Sequence, residues 1–119
     1  MKPHHSHKQS EDPAHCLYQA IAAIKTTEEA KHFLNDLCTP NEIEAMSDRW
    51  RVVDLIKIGK PYRKIHDETG VSTTTIGRVA RFIELGANGY NLIYERLEKK
   101  LNESRNKIKN RNTKIRASQ

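Results

Sequence analysis

The sequence predicts an all-α protein. Apolar residues recur at intervals of three and four along most of the chain, which is the spacing of one face of a helix. Extended runs that alternate apolar and polar residues, as a half-buried strand would, are absent. Five glycines and four prolines can separate a few helices in 119 residues but not many short strands. The length suits one small domain with tails.

Two helices are predicted before residue 38. The first covers residues 14–24, where the apolar positions with helical spacing are Leu17, Ala20, Ile21 and Ile24. The second begins at Thr27 and carries Glu28 and Glu29 in its first turn, where carboxylates favour the positive end of the helix dipole. Its apolar stripe consists of Ala30, Phe33, Leu34 and Leu37.

A third helix is predicted from Pro40 to about residue 58. Thr39 is its cap, Pro40 suits the first helical position, and Glu42 completes a capping box. Its apolar residues are Ile43, Met46, Trp50, Val53, Leu55 and Ile56. This set is broader than one stripe, so we expect the helix to contact both its own domain and a second subunit.

Residues 61–84 have the pattern of a helix-turn-helix. Gly70 lies where the first helix must end and the chain must reverse, because glycine adopts positive φ without a Cβ clash. Ser72 can cap the second helix. The inner faces of the two helices are predicted to carry Ile65, Val71, Ile76 and Val79. Such a motif places its second helix in the DNA major groove.

The start of that second helix is rich in hydroxyl groups and contains no acidic residue. Threonine can donate or accept a hydrogen bond and can pack its methyl group on thymine, and a helix N-terminus favours a phosphate. The predicted DNA-binding residues are Arg63, Lys64, Ser72, Thr73, Thr74, Thr75, Arg78 and Arg81. Two residues depart from the usual motif, namely His66 in place of a small residue and Thr69 in place of an apolar one. A glycine between two amphipathic helices also occurs in helical domains that do not bind DNA.

The last predicted helix begins near Asn88, after a break that starts at Gly86. Its apolar residues form a heptad-like seam of Tyr90, Tyr94, Leu97, Leu101 and Ile108. Ser104 and Arg111 occupy the next core positions of the seam. We therefore expect the helix to end at about residue 104 and to fray beyond it.

The net charge of +6 lies entirely in residues 105–119. This segment holds six basic residues and no acidic one, whereas residues 1–104 hold 15 of each. A block of like charge with little apolar content is typical of a solvated interaction tail, and polyphosphate is the partner class that it favours. A purely solvating role is the alternative.

Residues 1–13 are polar and are predicted to be disordered. Three histidines there, His4, His5 and His7, could bind a transition metal, but such tracts are more often flexible tails, and we predict no metal site and no cofactor. Paired carboxylates, a Cys/His dyad and a glycine-rich phosphate loop are absent, so we predict that the protein is not an enzyme. The sequence predicts a cytoplasmic protein that is not anchored in a membrane. It has only two cysteines, no apolar signal region at its N-terminus and no run of about 18 consecutive apolar residues.

Several of these motifs together resemble the tryptophan repressor superfamily, most closely its YerC/YecD branch of TrpR-like proteins. The resemblance rests on residues 37–45, Arg49, residues 62–65, residues 68–79 and Gly86, and it covers about residues 15–95. It implies a six-helix domain, an intertwined homodimer with two helix-turn-helix motifs, and a DNA-binding transcription regulator that acts as a repressor. The implied domain covers residues 14–104, between the N-terminal tail and the basic C-terminal tail.

The family's tryptophan pocket matches this sequence only in part. Thr39, Arg49 and Arg78 match positions that line the corepressor site, but Val79 stands where the repressor has glycine and Phe82 where it has serine. Because a close-packed protein has little room for both a side chain and a ligand, we predict that L-tryptophan does not bind.

Three functions are therefore compatible with the sequence. The first is a sequence-specific, dimeric regulator that binds double-stranded DNA. The second, the alternative to the first, is a protein that binds DNA or RNA without sequence specificity through its basic tail. The third is an interaction module whose last helix forms a coiled coil.

Overall fold

The computed structural model describes residues 12–117, and all of the regular secondary structure in this range is helical. The six helices are α1 (Pro13–Ala22), α2 (Thr27–Leu37), α3 (Pro40–Lys57), α4 (Tyr62–Thr69), α5 (Thr73–Leu85) and α6 (Gly89–Ala117). The predicted all-α, six-helix fold is confirmed. The predicted N-terminal tail, with its three histidines, falls almost wholly outside the described residues.

The described residues divide into two compact units, with the boundary between Glu44 and Ala45. In the first unit, short-range hydrogen bonds define where the helices start. The Thr26 hydroxyl accepts a bond from the Glu29 N–H at 3.0 Å, so the cap of α2 lies one residue before the predicted start. Thr39 and Glu42 form the predicted capping box, with reciprocal bonds of 3.1 and 2.8 Å. Neither α1 nor α2 contains a buried residue.

The second unit contains the apolar core. Its buried residues are Val52, Val53, Ile65, Val71, Ile76 and Val79. The four residues predicted for the inner faces of the helix-turn-helix are all among them, and so is Val53. Val52 is absent from the predicted set, although it is as completely buried as Val53, the next residue of α3. Two neighbouring positions of one helix are buried together because the core draws on several helices around α3.

Contacts with side chains of α3 and with the backbone of α5 hold the start of α6 in the second unit. The Tyr94 hydroxyl donates a hydrogen bond to Asp54 Oδ1 at 2.6 Å, and Lys57 Nζ lies 5.1 Å from the centroid of the Tyr94 ring. The hydrogen bond to Asp54 raises the pKa of Tyr94 to about 12. The Asn91 amide donates to the Ile83 carbonyl at 3.0 Å. These contacts hold the first two turns of α6 against the core.

The expected end of α6 at about residue 104 is wrong. The helix continues to Ala117, so the basic segment is helical where the structure describes it. Ser104 and Arg111 interrupt the apolar seam, but neither residue is incompatible with a helix interior, and arginine is a good helix former. The end of an apolar seam therefore does not mark the end of this helix. Between residues 12 and 117, none of the helices is both long and apolar enough to span a bilayer.

Candidate nucleic-acid interface

The candidate interface is built on the turn between α4 and α5. Gly70 adopts φ 79° and ψ −4°, the left-handed conformation, and its N–H donates to the His66 carbonyl at 2.8 Å. A Cβ atom at this position would meet no atom within 4 Å. Glycine is favoured here by the backbone conformation alone, as the sequence predicts.

The two residues that depart from the usual motif both bond to the turn. His66 Nδ1 lies 2.8 Å from the Val71 carbonyl oxygen, and because a carbonyl can only accept, Nδ1 carries the proton. The Thr69 hydroxyl donates to the Ile65 carbonyl at 2.7 Å and accepts from the Val71 N–H at 3.1 Å. His66 and Thr69 therefore join the end of α4 to the residue that follows Gly70.

Two further side chains restrain α4 at its ends. Lys60 Nζ lies 2.8 Å from each carboxylate oxygen of Glu68. This ion pair connects Lys60, which precedes α4, to Glu68, which is near the end of α4. Arg51 Nη1 donates to the Thr69 carbonyl at 3.4 Å. Exposed ion pairs contribute little stability individually, so their main effect here is to orient α4.

The structure separates the three threonines at the start of α5. Thr73 and Thr74 are exposed, whereas Thr75 is half-buried. The Ser72 hydroxyl accepts the Thr75 N–H at 3.1 Å and donates to Thr75 Oγ1 at 3.0 Å. The predicted cap is thus confirmed, and it engages the Thr75 side chain. Thr73 and Thr74 are the hydroxyl groups of this turn that point to solvent.

The four basic residues of the predicted site are exposed. Arg63 and Lys64 lie in the first turn of α4, and Arg78 and Arg81 lie farther along α5. The first turns of both helices contain no acidic residue. All four basic residues thus sit on the two helices of the motif, and the surface at the start of each helix favours an anion.

Tyr62 and Gly77 belong to the same region, although the sequence analysis did not single them out. Tyr62 is the first residue of α4 and remains 44% exposed. A Cβ atom at Gly77 would lie 3.9 Å from Tyr62 Cε2, so the ring lies beside the backbone of α5. The available signal in the sequence was Gly77 itself, because a glycine inside a helix, at a position that needs no positive φ, indicates a packing or functional reason.

Arg49 and Arg78 meet at a cleft in the second unit. The cleft has a volume of about 330 Å³ and is lined by Arg49, Arg78, Val79, Phe82 and Tyr90. An apolar cavity of about 490 Å³ is lined by Trp50, Phe82, Ala87, Gly89, Tyr90 and Ile93. The Trp50 and Tyr90 rings stack there, with centroids 6.4 Å apart. Phe82 and Tyr90 border both spaces.

Residues 12–117 contain no group of three or more histidine, cysteine, aspartate or glutamate side chains that could hold a metal ion. His4, His5 and His7 lie outside that range, so the sequence-based prediction about them stays a prediction.

The fold and the motif define an all-helical protein of the helix-turn-helix class. The sequence profile of the Trp repressor protein family matches residues 13–98. The chain therefore belongs to the Trp repressor family, as the sequence motifs predict.

Relatives agree with this assignment. The chain is 38% identical over 91 residues to YerC of Bacillus subtilis, an uncharacterised protein, and the match spans 76% of this chain and 88% of YerC. A solved TrpR-like protein of Eubacterium eligens is 38% identical, with a TM-score of 0.68 over 76% of this chain and 95% of that one. A Staphylococcus aureus structure described as a candidate Trp repressor is 36% identical, with a TM-score of 0.69 over 81% and 96%.

Proposed function

We propose that this chain is a sequence-specific transcription regulator that binds double-stranded DNA through α4 and α5 and acts as a repressor. The observation that carries the proposal is the start of α5, where Thr73 and Thr74 are exposed at a capped helix N-terminus whose first turn contains no acidic residue. A surface of this chemistry suits base edges and phosphates. The proposed role is regulatory rather than catalytic, and the proposed compartment is the cytoplasm.

Each predicted residue has a role in the proposed complex. Thr73 and Thr74 contact base edges in the major groove, while Ser72 and Thr75 fix the N-terminus of α5 near a phosphate. The basic residues on the two helices, Arg63, Lys64, Arg78 and Arg81, contact the phosphate backbone and set the position of the motif on the duplex. Phosphate contacts position a protein, and contacts to base edges specify the sequence.

We propose that the active species is a homodimer. In a single chain, α1 and α2 contain no buried residue. Their large apolar side chains are between 37% and 63% exposed, namely Leu17, Tyr18, Ile21 and Leu37. A second copy would cover this apolar surface, which a small chain cannot bury alone. Two-fold symmetry would place two α5 helices about 34 Å apart, in successive major grooves. Sedimentation equilibrium at micromolar concentration should show a dimer, and a stable monomer would contradict this part of the proposal.

We also propose that L-tryptophan is not the corepressor. Val79 is 1% exposed and lines the cleft that contains Arg49 and Arg78, and Phe82 adds an aromatic ring at its edge. Both side chains are larger than the glycine and serine of the repressor pattern. Arg49 and Arg78 are then available for structural or phosphate contacts.

Selection from a random duplex library tests the proposed function. The full chain should enrich one motif, and a chain truncated after Ser104 should still enrich the part of that motif that α5 contacts. The alternative, a non-sequence-specific binder of DNA or RNA, is favoured by the basic second half of α6. It predicts that no motif is enriched and that truncation abolishes binding.

A further inference from the structure

We propose that the second half of α6 is an additional DNA-binding helix that lies in a groove of duplex DNA with a row of asparagines toward the bases. This segment, residues 99–117, is called the α6 arm below. The inference rests on the proposed function, because it assumes that duplex DNA is the partner.

The α6 arm is an addition to the part of the chain that matches the family. The family match ends at residue 98, whereas α6 continues without interruption to Ala117. At a rise of 1.5 Å per residue, nineteen further residues extend the helix by about 28 Å. Every residue from 99 to 114 is exposed, so this surface is open to a partner.

Charge identifies the class of partner. The arm contains eight basic residues and a single acidic residue, Glu103. A helix with this charge favours a polyanion.

The side chains of the arm are sorted into rows. With about 100° between successive residues, positions four or seven apart fall on nearly the same line along a helix. One row contains Asn102, Asn106 and Asn110; a second contains Lys100, Lys107 and Lys114; a third contains Arg105 and Lys109. The asparagine row lies between the two basic rows, and Glu103 lies between the asparagines and the lysine row, four residues before Lys107. The apolar residues Leu97, Leu101 and Ile108 lie on the opposite side of the helix.

The asparagine row has no structural explanation in the arm. Asparagine is a poor helix former, by up to about 0.7 kcal/mol relative to alanine, and these three residues are exposed. Their amides both donate and accept, which is the combination that binds the N6 and N7 atoms of adenine with two hydrogen bonds. The row therefore has the chemistry of base recognition.

The dimensions of the arm also fit a groove. A helix with side chains is about 10–12 Å across, and the major groove of B-DNA is about 12 Å wide. With the asparagine row toward the bases, the two basic rows face the phosphates on either side of the groove. Lys107 and Lys109, one from each basic row, would then neutralise phosphates of opposite strands.

Two other partners fit less well. A parallel coiled coil with a second copy through Leu97, Leu101 and Ile108 would bring Lys100 of one copy near Arg105 of the other, and like charges at these flanking positions oppose pairing. An anionic lipid surface would need a broad apolar face, usually with tryptophan or phenylalanine, and the arm contains neither. Duplex DNA is the partner that uses both the basic rows and the asparagines.

The first test replaces Asn102, Asn106 and Asn110 with alanine in the full chain. Alanine favours the helix, so the variant should fold, and circular dichroism checks this. Duplexes selected from a random library by the wild-type chain should bind the variant roughly tenfold or more weakly, because bidentate base contacts are lost. A library selected by the variant should lack the positions that depend on the arm.

The second test measures the basic rows with a matched charge control. The variant Lys107→Gln/Lys109→Gln should flatten the slope of log K against log salt by roughly two per subunit, about 0.9 for each lost phosphate contact. The control Lys25→Gln/Lys31→Gln removes the same charge from exposed positions outside the arm and should leave the slope unchanged.

The outcomes separate the inference from the proposed function. A wild-type chain that enriches no sequence overturns the proposed function, and the base-reading role of the arm with it. A wild-type chain that enriches a motif, together with an asparagine variant of equal affinity and identical motif, overturns the inference alone. The inference also fails if the lysine variant keeps the wild-type slope on duplex DNA but loses binding to duplex RNA or to phosphatidylserine vesicles.

Discussion

Gly70 in the turn and Gly77 inside α5 should respond oppositely to the same substitution. At Gly70, φ is 79° and a Cβ would meet nothing within 4 Å, so Gly70→Ala costs only the left-handed conformation, about 1–2 kcal/mol. Gly77 lies inside α5, where a Cβ would contact Tyr62 Cε2 at an ordinary 3.9 Å. Alanine is a better helix former than glycine by about 1 kcal/mol, so Gly77→Ala should raise the free energy of unfolding by about that amount.

Urea denaturation at equal protein concentration measures both effects. The two variants should differ by about 2–3 kcal/mol in the free energy of unfolding, with the wild-type chain between them. Equal slopes would show that only stability has changed. A destabilised Gly77→Ala variant would refute the reasoning about α5, and a Gly70→Ala variant as stable as the wild type would refute the role of the turn.

Three further results are expected. Calorimetric titration with millimolar L-tryptophan should give no binding heat, because the larger side chains of Val79 and Phe82 line the cleft where the repressor pattern has glycine and serine; saturable binding that tightens DNA affinity would contradict this. The Asp54 bond raises the pKa of Tyr94 from 10.0 in the unfolded chain to about 12 in the folded one, so its stabilisation is complete below pH 10 and is lost as pH rises through 12. Urea titrations should show this loss in the wild type but not in Tyr94→Phe, and equal pH profiles would refute it. Truncation after Ser104 should flatten the salt slope of DNA binding by roughly three to five per subunit, and an unchanged slope would show that residues 105–119 do not touch DNA.

The features that the sequence predicted well are local ones. A cap needs only residues a few positions apart, so Thr39, Glu42 and Ser72 could be assigned without knowledge of the fold. The turn at Gly70 depends on one backbone conformation. The inner faces of α4 and α5 follow from helical spacing, because each helix of a helix-turn-helix presents one apolar side to the core.

The features that the sequence missed depend on contacts between distant residues or on the absence of a stop signal. Val52 is buried because it packs in one core with residues of α4 and α5, and the apolar spacing of α3 alone does not reveal those contacts. The bonds of His66 and Thr69 to the turn appear only once α4 and the turn are assembled. The end of α6 was placed at the end of its apolar seam, but an exposed helix can continue on residues that are merely compatible with helical structure.

In the candidate interface, too, the sequence predicts the local pattern, whereas the contacts between side chains come from the structure. Its residues were found from the pattern around Gly70, yet the pattern treats Thr73, Thr74 and Thr75 alike. The structure distinguishes them, because the Ser72 hydroxyl bonds to the Thr75 side chain and leaves the other two exposed. Tyr62 and Gly77 are fifteen residues apart, so only the packed motif shows them to be neighbours.

The most direct test of sequence-specific binding is the ratio of affinities for the selected duplex and for a scrambled duplex, measured at one salt concentration. The wild-type chain should prefer the selected duplex by roughly a thousandfold or more. The variant Thr73→Ala/Thr74→Ala should lose about 1–3 kcal/mol of that preference for each contacted base pair and keep its affinity for the scrambled duplex. Thr27→Ala, an exposed threonine of α2, is the control and should keep the full ratio. A folded double variant with the wild-type ratio would contradict the assignment of α5 as the recognition helix.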